Sequence, residues 1–319
     1  MSNGSLIYTP FDDDFNNDEI LKIVRNELDL HLYDSHHPVI NEICSDTFSR
    51  HKIRTFFYRE DLLIYIGGDK IFLFSLEEKK LKGYYTPSRE FSNKFCDLEI
   101  FCSEDPDSQI TVITFYDDMY DYGYERSTFF SIFSTNRGEI SLHLTSVWHF
   151  TFDQKNQALY YLNFAVGGSH GLYRYDLDRV DPIFLCKIVR IDPRQISYTK
   201  MFFDTFTERL FIREKPESIK ILDKDGIVLQ EISLNNLSYS DSGVRRDLLY
   251  SFNNFVLISD NRIMVYGKRG HSIVDSEGNI VNKNCAVYRH ISYNRKTRMS
   301  SLLTHRCVTI TDAFQSMDC

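Results

Sequence analysis

Tyrosines and acidic residues alternate in one short stretch, DDMYDYGYERS from Asp117 to Ser127, which has the residue types of a recognition loop. Tyrosine rings provide a large contact area at low cost in conformational entropy, and carboxylates select a basic partner surface. A loop on a rigid scaffold often carries function, although a solvated loop has the same composition. We therefore predict a protein-binding insertion between two strands. Its candidate contact residues are Asp117, Asp118, Tyr120, Asp121, Tyr122 and Tyr124.

The C-terminal part of the chain has the opposite charge. From Gly243 to Cys319 there are 11 Lys and Arg against 6 Asp and Glu, a balance of +5 in a chain whose net charge is −8. Basic side chains neutralise phosphates and aromatic rings stack on bases, so RNA binding is an alternative function. Scattered solvated charges are the other interpretation, since overall acidity opposes attraction to nucleic acid. The candidate RNA-binding residues are Arg245, Arg246, Lys268, Arg269, Arg289, Tyr293, Arg295, Lys296 and Arg298.

Residues suited to catalysis or metal binding are sparse. Asn163 and Asp204 have the residue types of calcium ligands, as a calcium-dependent hydrolase would need, but Asn and Asp are also ordinary turn formers. The histidines between His31 and His37 lack the spacing of a zinc motif. No G-x-S-x-G elbow, P-loop or dinucleotide fingerprint is present. We therefore predict no catalytic residue, no metal site and no cofactor, with the hydrolase as the weaker alternative.

A repeat of roughly 40 to 50 residues predicts the scaffold that positions these loops. Each copy has four short apolar strands separated by polar turns, and the clearest copies run from Val147 to Ile188 and from Lys200 to Leu234. A closing hairpin recurs at 70–85, 129–143 and 271–283. Strand, turn and strand at this period are typical of propeller blades, so we predict an all-β, six-bladed β-propeller.

The repeat predicts a single domain over residues 1–319 whose last blade lacks an outer strand. A spare β segment at 4–9 precedes the first blade, and we predict that it pairs with the last blade and closes the ring. The blades are expected at 53–86, 95–143, 147–188, 199–234, 247–283 and 286–312.

One N-terminal segment does not fit the repeat. Residues 17–33 have apolar side chains near helical spacing, at Ile20, Leu21, Val24 and Leu28, which favours a short helix inserted before the blades. A strand is the alternative for residues 28–33, because they also alternate between apolar and polar.

The copy with FDQKNQALYYLN and GLYRYDLD resembles six-bladed propellers of the YWTD type, and ILDKDG and IVDSEG resemble NHL repeats. The YWTD motif is replaced by Tyr160-Tyr161-Leu162-Asn163, and WD40 signatures are absent from a chain with a single Trp. The resemblance implies the propeller fold. It also implies RNA binding as one use of such propellers, but fold alone does not specify function.

The cellular setting follows from features that are missing. The N-terminal residues lack a secretory signal, no stretch has the length of a membrane span, and seven scattered cysteines include no C-x-x-C pair. We expect a cytoplasmic or nuclear protein without a membrane partner. The leading hypothesis is a non-enzymatic platform for protein partners, an adaptor or a subunit of a larger complex.

Overall fold

The computed structural model describes the greater part of the chain. The described residues are 6–11, 29–32, 54–65, 70–78, 80–87, 97–102, 109–119, 126–135, 139–145, 147–163, 171–179, 181–188, 199–238, 252–259, 262–267, 270–284, 286–288, 290–303 and 307–311.

Almost all regular structure in these residues is β. In chain order the strands are β1 (Leu6–Pro10), β2 (Asp29–Leu32), β3 (Arg54–Tyr58), β4 (Asp61–Tyr65), β5 (Ile71–Ser75), β6 (Lys80–Pro87), β7 (Asp97–Phe101), β8 (Thr111–Met119), β9 (Arg126–Ser134), β10 (Ile140–Thr145), β11 (Val147–Asp153), β12 (Ala158–Asn163), β13 (Gly171–Asp176), β14 (Ile183–Lys187), β15 (Lys200–Asp204), β16 (Arg209–Lys215), β17 (Ser218–Asp223), β18 (Val228–Ser233), β19 (Phe252–Ser259), β20 (Arg262–Gly267), β21 (Gly270–Asp275), β22 (Ile280–Asn284), β23 (His290–Tyr293), β24 (Ser300–Leu303) and β25 (Cys307–Thr311). A short 3₁₀ helix covers Asn235–Ser238.

Strands that follow one another in the chain lie side by side in the sheets. Among the described residues, five sheets contain four consecutive strands each: β3 to β6, β7 to β10, β11 to β14, β15 to β18 and β19 to β22. The hairpins β5–β6, β17–β18 and β21–β22 are antiparallel, and β9 neighbours β10, which confirms the closing hairpins predicted from the repeat. The all-β propeller class is likewise confirmed.

Two compact units divide the chain. The first comprises Met1–Ile113, Ile132–Glu139 and Val287–Cys319, and the second comprises Thr114–Ser131 and Ile140–Ala286. In the second unit β11 contacts β15 and β15 contacts β19, so the first strands of successive sheets adjoin. In the first unit β3 contacts β23 and β24. The prediction that residues 1–319 form a single domain is not tested by this division and stays a prediction.

The predicted number of six blades, the last without an outer strand of its own, is not confirmed. Five sheets follow the plan of four consecutive strands, whereas the last sheet has the order β2-β25-β24-β23 and takes β2 from the N-terminal part of the chain. β2 pairs with β25 in parallel, from Asp29 opposite Cys307 to Leu32 opposite Ile310. A parallel edge strand from a distant segment differs from the up-and-down plan of the other sheets.

The predicted closure of the ring by residues 4–9 is wrong. β1 pairs antiparallel with β6, from Leu6 opposite Pro87 to Pro10 opposite Gly83, and becomes the fifth strand of the first sheet. Leu6 is buried there with Leu73 and Tyr85. Burial of an aliphatic side chain and pairing of backbone groups therefore favour the β6 edge.

The predicted helix over 17–33 is also wrong where the structure describes it. Residues 29–32 form β2, which is the strand alternative for that segment. Pairing with β25 satisfies the backbone groups of a sheet edge, and this long-range contact determines the structure of residues 29–32. Residues 17–28 lie outside the described part of the chain.

Apolar side chains of adjacent sheets fill the core of each unit. In the second unit, Tyr160 and Leu162 of β12 pack with Leu210 and Ile212 of β16, and the Tyr160 ring stacks on Phe203 with centroids 5.1 Å apart. In the first unit, Leu63 of β4 belongs to a cluster with Ile100 and Val112. Each such side chain contributes about 1.5–3 kcal/mol on burial, so the sheets are rigid supports for their turns.

Candidate interaction surface

Two turns of the second unit have the same construction, and both precede an outer strand. In the β17–β18 turn, Asp223 Oδ1 accepts the backbone N–H groups of Asp225 at 3.0 Å and Ile227 at 2.8 Å. Gly226 has φ +85°, a left-handed conformation that glycine adopts without strain. The sequence predicts this turn, because the Asp side chain of Asp-x-x-Gly accepts backbone N–H groups and the Gly adopts a positive φ.

The β21–β22 turn repeats this arrangement. Asp275 Oδ1 accepts the N–H groups of Glu277 at 2.9 Å and Asn279 at 2.8 Å, and Gly278 also has φ +85°. Desolvation raises the pKa of Asp275. The hydrogen bonds from Asn279, Glu277 and Gly278 together lower it by more, so the pKa of Asp275 lies below its ordinary value. The ionised carboxylate therefore stabilises the turn.

Each turn packs against the outer strand of the preceding sheet. A Cβ at Gly226 would lie 2.7 Å from Leu185 Cβ in β14, and the Tyr160 hydroxyl donates to the Lys224 carbonyl at 3.2 Å. At the next sheet, Gln230 Nε2 of β18 donates to the Ser276 carbonyl at 2.7 Å. The β17–β18 turn therefore lies against β14, and the β21–β22 turn lies against β18.

These outer strands expose large apolar side chains. Ile227, Val228 and Leu229 are 64%, 53% and 51% exposed, directly after the Gly226 turn. Large apolar side chains that are exposed together are typical of protein-interaction sites. The outer-strand surface consists of Phe184, Ile227, Val228, Leu229, Ile280 and Val281.

The pattern of the sequence did not predict this surface. Apolar runs such as Ile227-Val228-Leu229 are typical of strands buried on both faces, and their exposure depends on the position of the strand at the sheet edge. The sequence contains one repeated signal for these exposed residues. In both hairpins an Asp-x-x-Gly turn is followed by apolar residues, in DKDGIVLQ and DSEGNIVNK.

The predicted protein-binding insertion is shorter than Asp117 to Ser127. β8 continues through Met119 and β9 begins at Arg126, so Asp117 and Asp118 lie in a strand and not in a loop. The strand-forming residues of TVITFY extend the hairpin into the acidic stretch. Tyr120, Asp121, Tyr122 and Tyr124 lie outside the described residues, and their binding role stays a prediction.

The structure describes only part of the predicted basic set. Tyr293 ends β23, and Arg295, Lys296 and Arg298 lie in the turn before β24. In that turn Asn294 Oδ1 accepts the Thr297 N–H at 2.7 Å, and Lys296 Nζ lies 3.5 Å from Glu60 Oε1. An exposed acid therefore lies beside this basic turn. The members outside the described residues are Arg245, Arg246, Lys268, Arg269 and Arg289.

The two candidate calcium ligands belong to separate local structures. Asp204 Oδ1 accepts the Phe206 N–H at 3.3 Å and Oδ2 accepts the Thr207 hydroxyl proton, which makes Asp204 the cap of the β15–β16 turn. Asn163 Nδ2 donates to the Thr145 carbonyl at 2.9 Å. Within the described ranges, no three His, Cys, Asp or Glu side chains form a group that could hold a metal ion.

Three polar side chains, Arg54, Glu99 and His290, lie on strands of three different sheets, β3, β7 and β23. Arg54 Nη1 contacts Glu99 Oε2 at 2.5 Å and donates to the Leu98 carbonyl at 2.8 Å. The Phe56 ring meets His290 edge-on at 5.1 Å. The pKa of His290 is lowered to about 3, mainly because the imidazole is buried and to a smaller extent because of the positive charge of Arg54. This imidazole is neutral near pH 7, so it is poorly suited to general acid catalysis there.

Comparison with protein-family models and with curated proteins found no match. Among solved structures, the chain is similar to the C-terminal WD40 domain of Sif2, with a TM-score of 0.43, 9% identity and coverage of 78% of this chain and 80% of that chain. It is similar to dihydro-heme d1 dehydrogenase NirN in complex with DHE, with a TM-score of 0.43, 11% identity and coverage of 79% and 62%. It is also similar to Raptor of Chaetomium thermophilum, with a TM-score of 0.41, 10% identity and coverage of 78% and 22%.

Similarity at this level assigns neither an activity nor a partner to the chain. The chain spans less than two thirds of the NirN and Raptor chains. Among the described residues, no helix has the length and apolar character required to cross a bilayer.

Proposed function

We propose that the protein is a non-enzymatic platform for protein–protein interaction, an adaptor or a subunit of a larger assembly in the cytoplasm or nucleus. The observation that supports this function best is the outer-strand surface, where three consecutive large apolar side chains, Ile227 to Leu229, are each more than half exposed. Covering such side chains contributes about 25 cal/mol per Å² of apolar area, and hydrogen bonds to Asp223 fix the turn that precedes them.

The chemistry of the outer-strand surface suits a partner with its own apolar patch. Lys224 and Asp225 are exposed on one side of Val228, and Glu231 is exposed further along β18. Charges of both signs at the rim of an apolar centre give orientation and specificity more than affinity. The partner proposed here is therefore a folded protein that presents an apolar patch with a mixed-charge rim.

The acidic tyrosine stretch is proposed as a second contact of the same platform. Asp117 and Asp118 lie near the end of β8, and β9 begins at Arg126. Contacts from Tyr120, Asp121, Tyr122 and Tyr124 would select a basic partner region. RNA binding remains the alternative for the basic residues at 245–306, and the described turn at Arg295 to Arg298 gives it no further support.

Affinity purification from the native cells, with and without ribonuclease, tests the proposed function. Two full-length variants are compared with the unsubstituted chain: Val228→Ser with Leu229→Ser, and Arg295→Ala with Lys296→Ala. Protein partners that survive ribonuclease and are lost only from the first variant support the platform. Loss of all partners on ribonuclease treatment, or only from the second variant, would replace it with RNA binding.

A further inference from the structure

The first sheet has a fifth strand that the other sheets lack among the described residues. β1 pairs with the outer strand β6 along its whole length, from Leu6 opposite Pro87 to Pro10 opposite Gly83. Seventeen residues separate Phe11 from Asp29 at the start of β2. β1 is therefore a short terminal segment added to the edge of an already complete four-stranded sheet.

The β6 edge is shaped for this added strand. A Cβ at Gly83 would lie 2.4 Å from the Thr9 carbonyl oxygen and 2.8 Å from the Tyr8 hydroxyl. Any larger residue at position 83 would therefore force β1 away from β6. Glycine weakens an isolated strand, and in strand interiors it often marks a place where another backbone approaches closely.

Two side chains of β1 occupy defined positions on the edge. Leu6 is buried in the cluster that contains Leu73 and Tyr85. The Tyr8 ring lies 5.0 Å from the Tyr85 ring, and its hydroxyl donates to the Lys82 carbonyl at 3.1 Å. An aliphatic residue followed two positions later by an aromatic residue thus makes the specific contacts.

The other contacts between β1 and β6 are those of backbone pairing, which does not depend on side-chain type. Ile7 is 52% exposed, Tyr8 is 41% exposed, and within β1 only Leu6 is buried. The rest of the attachment is backbone pairing with β6, which any extended segment can form. A short edge strand with one buried side chain is prone to local opening.

We propose that the β6 edge is a strand-addition site, at which an extended partner segment with an aliphatic residue and, two positions later, an aromatic residue replaces β1. This inference rests on the proposed function as an interaction platform. β1 competes as a tethered ligand with an effective concentration on the order of millimolar. The partner segment therefore binds only when β1 has opened or when its affinity exceeds that of β1.

The probe is a fluorescent peptide of residues 4–11, GSLIYTPF. It is titrated, with anisotropy as the readout, into the full-length chain and into a full-length variant with Leu6→Ala and Tyr8→Ala, whose own β1 binds weakly. We expect the variant to bind the peptide at least 10-fold more tightly than the unsubstituted chain. Adding Gly83→Ala to the variant is expected to abolish binding.

Two matched peptides keep the test decisive if Gly83→Ala impairs folding. A peptide with Ile7→Ala is expected to bind within about two-fold of the original, since the Ile7 side chain is exposed, whereas one with Leu6→Ala is expected to bind at least 10-fold more weakly. No binding to the weakened variant at about 1 mM peptide, or equal binding of both peptides, would overturn the proposal. The platform itself would stand in that case if the outer-strand variant still lost its partners.

Discussion

Gly278 of the β21–β22 turn lies against Ser233 at the end of β18, since a Cβ at Gly278 would lie 2.1 Å from the Ser233 carbonyl oxygen. Asn236 Nδ2 also donates to the Gly278 carbonyl at 3.3 Å. The turn therefore lies against the end of β18, and no other residue fits at position 278 without a shift of backbone.

Gly278→Ala should destabilise the protein by at least about 2 kcal/mol, because it combines a left-handed φ with a clash against backbone. Chemical denaturation measures the loss. Glu277→Ala, at an exposed position in the same turn, is the control and should change stability by no more than about 0.5 kcal/mol. Equal stability of the two variants would show that the turn does not pack on β18.

Removing the carboxylate cap of the same turn should cost less. Asp275→Ala loses the bonds to Glu277 and Asn279, for an expected loss of about 1 kcal/mol, whereas Asp275→Asn keeps an acceptor oxygen and should lose less than half of that. The lowered pKa of Asp275 means that its contribution is present above about pH 4 and disappears as pH falls further. An alanine variant with unchanged stability at pH 7 would contradict the capping role.

His290 should make the protein sensitive to acid. Its pKa is lowered to about 3 in the folded protein, so the unfolded chain binds the extra proton between about pH 6.5 and pH 3. The free energy of unfolding should therefore fall with decreasing pH, by up to about 1.4 kcal/mol per pH unit from this group. His290→Leu should flatten that slope in denaturation curves at pH 7, 6 and 5. A parallel slope in both proteins would refute the assignment.

The position of β1 changes the expected effect of N-terminal substitutions. Leu6→Ala should lose about 2 kcal/mol, because it removes a buried side chain from the first sheet, and Ile7→Ala should be nearly neutral. Thermal unfolding of the two variants measures this difference. If Ile7→Ala were the more damaging change, the register between β1 and β6 would be wrong.

Local signals in the sequence predicted the strands and closing hairpins, since Asp-x-x-Gly turns at 223–226 and 275–278 set them without help from distant residues. The partners of β1 and β2 could not be predicted in this way. Their pairing depends on which distant sheet edge offers room, as at Gly83, and on contacts that no short window contains.

The outer-strand surface could not be predicted from residue type for a related reason, and the binding role of the acidic stretch stays a prediction. Residue type marked Asp117 and Asp118 as acidic contacts, but strand extension along β8 decides where they lie. Conversely, Val228 and Leu229 have the composition of buried residues and are exposed, because β18 is the outer strand of its sheet.

The most direct test of the platform is the affinity of the principal purified protein partner for the full-length chain, measured by calorimetry with and without Val228→Ser and Leu229→Ser. Both positions are more than half exposed, so the variant should keep its melting temperature. We expect its Kd to rise at least 10-fold, about 1.4 kcal/mol, as the apolar contact is lost. An unchanged Kd in a folded variant would contradict a role for the outer-strand surface in binding.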